Sequence, residues 1–268
     1  MNNYKRVNAL EIRRLAMRTF VKDIKGNVAL NIFPILMRLV AMYFGTRIYN
    51  SWLGELGVSF SNPQAASERL TEISQQMAND PSAATKYALS LTPGSSVIVF
   101  AFMFFFVLVC TGVGYTMLDK MRNPDYEINA LKDSLQVFSG NFFFPVLFIT
   151  TMLGVFIEAG LSLYIIPGIW FFLIFSQSFY VLKDDVDKNK TWSIRSAFLS
   201  LTKSSRMMRG YKTTLFFICF EFLLWEIVNL MTHEILSIWL HPYEQLTLAA
   251  FYAKISEAND ANSNKAAA

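Results

Sequence analysis

Five ionisable residues interrupt apolar segments of this chain, in positions where they could carry protons or ions. They are Arg38, Glu221, Glu226, His241 and Glu244. Such groups are costly in hydrocarbon, so they normally face a protein interior and pair with one another. Arg38, Glu221 and Glu244 lie at similar depths in their apolar runs. We therefore predict that Arg38 pairs with one or both glutamates, either as a buried salt bridge that fixes helix register or as a proton or ion relay.

A metal site is a weaker interpretation of the polar residues near the C-terminus. Glu234 and His241 are seven residues apart, and His241 and Glu244 are three apart, so these three could share one face of a helix. His233 points away from that face, and the arrangement matches no known zinc spacing. We predict that these residues flank a short external turn.

Motifs of soluble enzymes are absent from the sequence. It contains no nucleotide-cradling glycine-rich loop, no H-E-x-x-H pair and no G-x-S-x-G elbow. Asp184, Asp185 and Asp187 resemble a carboxylate metal site only superficially, because lysines are interleaved with them, and we interpret them as a solvated charged turn. We predict that the protein is not an enzyme and needs no metal or other cofactor.

Long apolar runs must position these residues. Residues 134–157 and 159–182 are two runs without a charged residue, separated only by Glu158, and a tight turn is predicted between them. At about 1.5 Å per helical residue, each run can cross a hydrocarbon core of roughly 30 Å. Apolar residues make up 53% of the chain and charged residues 16%, against about 25% in an ordinary soluble domain. The chain is therefore predicted to be an integral membrane protein.

The sequence predicts an all-α, polytopic fold, a single domain over residues 1–268 with about six transmembrane helices. The spans are predicted at 28–44, 96–118, 142–158, 161–182, 213–231 and 235–253. Pro167-Gly168 should start or kink the fourth span. Small residues should permit close helix approach at Gly112, Gly114, Gly154 and Gly160.

The distribution of Lys and Arg predicts which side of the membrane each connection occupies. Basic residues near span ends accumulate in the cytoplasm. They are dense in segment 1–27, which includes Lys5 and Arg6, and in connection 183–212, and they recur in tail 254–268 as Lys254 and Lys265. Both termini are thus predicted to be cytoplasmic. The net charge of +4 is a topology signal, and no nucleic-acid partner is predicted.

Two cytoplasmic segments have the pattern of amphipathic surface helices. In residues 10–25 a basic stripe is opposed by an apolar one, formed respectively by Arg14, Arg18, Lys22 and Lys25, and by Leu10, Met17, Phe20, Val21 and Ile24. In residues 193–209 the corresponding sets are Arg195, Lys203, Arg206 and Arg209, and Ile194, Ala197, Leu201 and Met208. These helices either bind anionic lipid head groups in the bilayer or only enforce topology and close the inner end of the bundle.

The external loop, residues 45–95, is the largest segment predicted outside the membrane. Its polar part, 62–91, is bracketed by Pro63 and by Pro93-Gly94, and it is expected to form short surface helices. It is either a solvated cap over the bundle or an external recognition surface.

Several strings in the second half of the chain resemble domain-of-unknown-function family 975. They are Leu163 to Trp170, Ser205 to Lys212 and Trp239 to Tyr243, followed by Ala249 to Tyr252. That family comprises multi-span integral membrane proteins of Gram-positive bacteria, so the resemblance implies a bacterial cytoplasmic membrane and no assigned activity. More loosely, the order of elements is similar to the membrane domain attached to some glycerophosphodiester phosphodiesterases.

Two functions remain open from the sequence. The first is a non-enzymatic membrane module that supports or regulates a protein partner, acting through the external loop and the basic inner surface. The second is a small transporter or permease component in which Arg38, Glu221 and Glu244 line a route. The small size favours the first unless the chain forms a homo-oligomer.

Overall fold

The computed structural model describes residues 7–80 and 82–267, with side chains up to residue 261. The predicted basic residues Lys5 and Arg6 and the side chain of Lys265 lie outside this description. Regular structure in the described part is helical, as predicted. The helices are α1 Ala9–Lys22, α2 Ile24–Glu55, α3 Pro63–Asn79, α4 Ala83–Tyr87, α5 Pro93–Arg122, α6 Ala130–Ser134, α7 Phe143–Leu163, α8 Ile165–Phe175, α9 Ser178–Asn189, α10 Ile194–Met207, α11 Lys212–Met231 and α12 Ser237–Ala267, with a 3₁₀ turn at Gln136–Phe138.

Five of these segments are long and apolar enough to cross a membrane: α2, α5, α7, α8 with α9, and α11. Only 17% to 39% of each apolar window is buried inside the protein, so most of its side chains face outward, as lipid-facing residues do. They confirm the first five predicted spans. The sixth, 235–253, falls in α12, which is not among the five because His241, Glu244 and Gln245 dilute its apolar residues. Because both termini are predicted to be cytoplasmic, α12 must also cross the membrane. This sixth crossing stays a prediction.

A tight turn joins α7 to α8. It lies at Tyr164, six residues beyond Glu158, where the sequence predicts it. Glu158 is exposed in the last turns of α7, so its charge does not end the helix. Pro167 lies in the first turn of α8, where a missing N–H is tolerated, and this confirms that a helix starts there.

Glycines allow close backbone approach at two places. A Cβ on Gly160 would lie 2.8 Å from the backbone of Gly168, which brings α7 and α8 together. A Cβ on Gly112 would lie 2.4 Å from the carbonyl oxygen of Ser134, so α5 crosses the end of α6 there. The prediction of close approach is wrong for Gly154, which has no neighbour within 4 Å of its Cβ position.

The described chain divides into two compact units. One contains the residues up to Ile35 and from Met103, and the other is Leu36–Phe102. The first has a core of fully buried side chains that includes Ile149, Leu182, Leu215 and Phe251. The single-domain interpretation stays a prediction.

The second unit contains the predicted external loop, residues 45–95, whose folded part is called the cap below. Leu53, Val58, Ile73 and Tyr87 form its small core, and the Trp52 indole N–H donates to the Tyr87 carbonyl at 3.2 Å. The surface helices expected in 62–91 are therefore present as α3 and α4.

Candidate functional site

Helix α1 is seated on the rest of its unit by one apolar stripe. Its N-cap, Asn8, accepts a hydrogen bond from the Leu10 backbone N–H at 2.9 Å. Ile12, Ala16 and Phe20, four residues apart, are buried, and the Phe20 ring meets Trp239 of α12 edge to face at 6.1 Å between centroids. The helix is thus held in a fixed rotation about its axis.

At this rotation most of the predicted apolar face of α1 stays outside the protein core. Of the five residues assigned to that face, Phe20 is buried, whereas Leu10, Met17, Val21 and Ile24 are between 38% and 59% exposed. Two apolar stripes fit helical spacing in this segment, and the sequence does not say which one meets the protein. The outer stripe lies beside exposed Arg14 and Arg18, the pattern of a helix at the boundary between head groups and acyl chains.

Helix α10 presents the second basic surface. Ser193 and Ser196 cap its start reciprocally, and the Ser204 hydroxyl donates to the Ile174 carbonyl at 2.9 Å. Of its predicted apolar face, Ala197, Leu201 and Met208 are buried, whereas Ile194 is 64% exposed and lies outside the packed face. The helix therefore holds its basic residues at fixed places on the surface.

The eight predicted head-group contacts fall into two groups. Lys22 pairs with Asp125 at 3.1 Å and Lys203 with Asp185 at 2.6 Å, so these two join parts of the protein. The other six are exposed and have no ion pair with any described residue. They are Arg14, Arg18, Lys25, Arg195, Arg206 and Arg209.

The acidic group at 184–187 is part of an ion-pair network, not the solvated turn that the sequence suggested. The three aspartates lie in α9, and their basic partners lie both in α9 and in other helices. The Arg122 guanidinium donates to both carboxylate oxygens of Asp184, at 2.6 and 2.9 Å, and the Tyr252 hydroxyl donates to the same group at 2.6 Å. Buried Lys183 pairs with Asp119 at 3.0 Å and with Asp187 at 2.9 Å. The C-terminal end of α5 is thereby tied to α9 and to the middle of α12.

Asp23, at the junction of α1 and α2, ties both helices to α5. Its carboxylate accepts from the Lys120 ammonium at 2.9 Å and from the Gly26 backbone N–H at 3.0 Å. The hydrogen bond from Lys120 lowers the pKa of Asp23 below its ordinary value of 3.8, because it stabilises the charged form. The pair therefore stabilises the fold above about pH 4, and the contribution is lost as the pH falls through the folded-state pKa.

Replacing Asp23 with Asn is expected to lower the thermal unfolding midpoint in detergent at pH 7. The buried Lys120 ammonium would keep the Tyr126 carbonyl, at 2.6 Å, but lose its charged partner, at a cost of about 1.5–3 kcal/mol. The difference from the wild type should shrink when the melts are repeated below pH 3. The matched control is Asp125→Asn, which removes the exposed partner of Lys22 and should change the midpoint little. Equal midpoints for the wild type and D23N at pH 7 would refute this role of Asp23.

Glu221 of the predicted intramembrane cluster forms an ion pair with Arg13 of α1. No pattern in the sequence indicates this pair, because Arg13 is one of several basic residues in the N-terminal segment 1–27. Arg38 lies in the other compact unit, so its predicted pairing with Glu221 or Glu244 stays a prediction.

The other acidic candidates lie around the α11–α12 turn. The Asn229 side-chain amide donates to Glu234 at 2.8 Å and to Glu226 at 3.2 Å. His241 lies 4.0 Å from Glu244, one helical turn further along α12. Backbone φ angles of +51° at His233 and +66° at Glu234 make this turn, as expected for polar residues at a short connection. Sequence reasoning missed Asn229, whose only signal is an amide near the end of a largely apolar helix.

Comparison with known proteins supports the family resemblance. Residues 161–259 match the sequence model of a family described as "Protein of unknown function (DUF975)". The matched segment runs from the end of α7 through most of α12 and contains α10 and its basic surface. Comparison with curated proteins and with solved structures gave no match. The chain is thus an integral membrane protein whose matched family has no stated activity.

Proposed function

We propose that this chain is a non-enzymatic integral membrane module that supports or regulates a partner protein, with its basic inner surface bound to anionic lipid. The observation that carries the proposal is the set of six exposed cations, on and beside α1 and α10, that have no ion pair among the described residues. Such cations are available to lipid phosphates, and each contributes about 1 kcal/mol at an anionic surface.

The structure of the cap supports the proposed contact with a partner protein. Helix α3 packs on the end of α2 through Ile73, and the Arg69 guanidinium donates to the Leu56 carbonyl at 2.9 Å. The external loop therefore has a fixed shape, with its polar side chains outward. A preformed surface of this kind suits contact with a second protein at lower ordering cost than a flexible loop.

Anionic lipid is expected to raise the thermal unfolding midpoint of the protein in nanodiscs relative to zwitterionic lipid. The triple variant R195Q/R206Q/R209Q should lose part of that increase because three surface cations are gone. The loss corresponds to up to about 3 kcal/mol in the free energy of unfolding. Added salt at roughly 0.5 M should lower the increase in the wild type more than in the variant. The variant in zwitterionic nanodiscs is the folding control. If neither the triple variant nor added salt reduces the increase in the unfolding midpoint, the proposal that the inner surface binds lipid is contradicted.

Proteoliposomes separate the proposed module from the transporter alternative. Under an imposed potential, a trapped pH dye is expected to change no faster with the wild type than in protein-free vesicles. If Arg38, Glu221 and Glu244 form a proton relay, flux should appear in the wild type and vanish in the variants E221Q and E244Q. Flux that depends on those glutamates would overturn the module proposal.

Removing the cap tests whether the chain supports a partner protein through this surface. In the native membrane, a chain lacking residues 62–91 is expected to leave the abundance of a dependent membrane protein as low as deletion of the whole gene does. The full-length chain should restore that abundance. Restoration by the chain without the cap would rule out the cap as the partner surface.

A further inference from the structure

A groove with a volume of about 510 Å³ runs between α1 and α12. Helix α1 packs lengthwise against α12 and antiparallel to it: Glu11, early in α1, meets Lys254, just past the middle of α12, and Phe20 meets Trp239 near the start of α12. The groove is lined by Asn8, Leu10, Glu11, Arg14, Leu15, Arg18 and Lys254.

Three cations and one carboxylate line this groove. Arg14 and Arg18 are one helical turn apart on α1, and neither has an ion pair with a described residue. The Lys254 ammonium lies 3.4 Å from Glu11 and 3.6 Å from Glu257. Both distances exceed the 2.7–2.9 Å of a strong charge-assisted hydrogen bond. Lys254 is therefore only loosely satisfied, and the groove has an excess of positive charge.

An amphiphilic anion fits this chemistry. Two guanidinium groups and an ammonium suit the oxygens of a phosphate, which arginine binds with two parallel hydrogen bonds. The apolar stripe of Leu10, Met17 and Val21 continues outward from the same helix, and these residues are 49%, 46% and 59% exposed. A soluble phosphate would leave that stripe uncovered, whereas the acyl chains of a lipid would cover it.

We propose that the α1–α12 groove binds the phosphate of one anionic glycerophospholipid, with Arg14, Arg18 and Lys254 as its ligands. The inference rests on the proposed lipid-bound inner surface and locates one defined site in it. Glu11 acts as an internal competitor, because its carboxylate lies beside Lys254 where a phosphate oxygen would bind. The lipid displaces Glu11 from Lys254 and frees that carboxylate toward solvent.

Binding of phosphatidylglycerol to the purified chain in neutral detergent tests the site, with native mass spectrometry counting bound lipids during a titration. R14Q/R18Q is expected to weaken the tightest binding event about tenfold, since two charged phosphate ligands are removed. The control R195Q/R206Q removes the same charge from α10 and should leave that event unchanged. Equal weakening by both double variants would mean diffuse attraction without a defined site, and would overturn the proposal.

The substitution Glu11→Gln is expected to change lipid affinity in the opposite direction from R14Q/R18Q, and it tests the site independently. Loss of the competing carboxylate should tighten the first binding event about threefold or more, whereas a variant that merely damaged α1 would weaken it. E257Q, which removes the more exposed neighbour of Lys254 outside the groove lining, is the matched control and should have a smaller effect. Weaker binding by a folded E11Q would also refute the site.

Two soluble competitors identify the source of the phosphate. Inorganic phosphate and glycerol 3-phosphate, added at concentrations matching the lipid, are expected not to displace it. Displacement by either would show that the groove takes free phosphate and would contradict the lipid assignment. These outcomes are separate from the flux measurement, so the groove can fail while the module proposal stands.

Discussion

Gly160→Ala is expected to lower the thermal unfolding midpoint in detergent by roughly 5–10 °C. The added Cβ would lie 2.8 Å from the backbone of Gly168 and 2.9 Å from the Phe171 ring, so α7 and α8 would have to separate. Overpacking of this kind costs about 2–3 kcal/mol, and each kcal/mol shifts the midpoint of a chain this size by about 2–4 °C.

Gly154→Ala is the matched control in the same helix. Its Cβ would meet nothing within 4 Å, so only the higher helix propensity of alanine acts, and stability should rise by up to about 1 kcal/mol. Opposite signs for the two substitutions would establish the crossing point. A G160A variant as stable as G154A would mean that α7 and α8 do not approach each other at Gly160.

These two glycines show what the sequence can and cannot predict about the fold. The spans could be predicted because an apolar run has few alternatives to crossing lipid as a helix. Which glycine meets a neighbour depends on the rotation of α7 about its axis, and Gly154 and Gly160 are equally suited by composition. The same ambiguity applies to α1, where two apolar stripes fit helical spacing and only the packing selects Ile12, Ala16 and Phe20 as the buried one.

The candidate site was predictable only in part for a related reason. Arg14 and Arg18 were found from the basic stripe, which needs no knowledge of tertiary packing. Lys254 lies 240 residues beyond Arg14, and only the packing of α1 along α12 brings the two to one groove. Arg13 and Glu221 are likewise joined by packing, so a search for partners at similar depth in predicted spans could not find the pair.

A double-mutant cycle on Arg13 and Glu221 is expected to give a coupling free energy of about 1–2 kcal/mol. Glu221 lies in the middle of α11, an apolar span, so losing its partner leaves a carboxylate in a poorly solvating environment. Arg13 lies in α1 and, with its long side chain, can reach water or head groups when Glu221 is removed. R13Q should therefore destabilise the protein more than E221Q.

The double variant R13Q/E221Q should recover most of the stability lost in R13Q, because no unpaired charge remains in the span. Thermal or denaturant unfolding in one detergent at one pH measures all four proteins. The Arg69–Glu72 pair of the cap is the matched control, since both residues are on one exposed helix and their coupling should be only about 0.3–0.5 kcal/mol. An R13Q variant as stable as the wild type would dismiss Arg13 as the partner that holds Glu221, and would direct the same cycle to Arg38 with Glu221, the pairing that the sequence predicts.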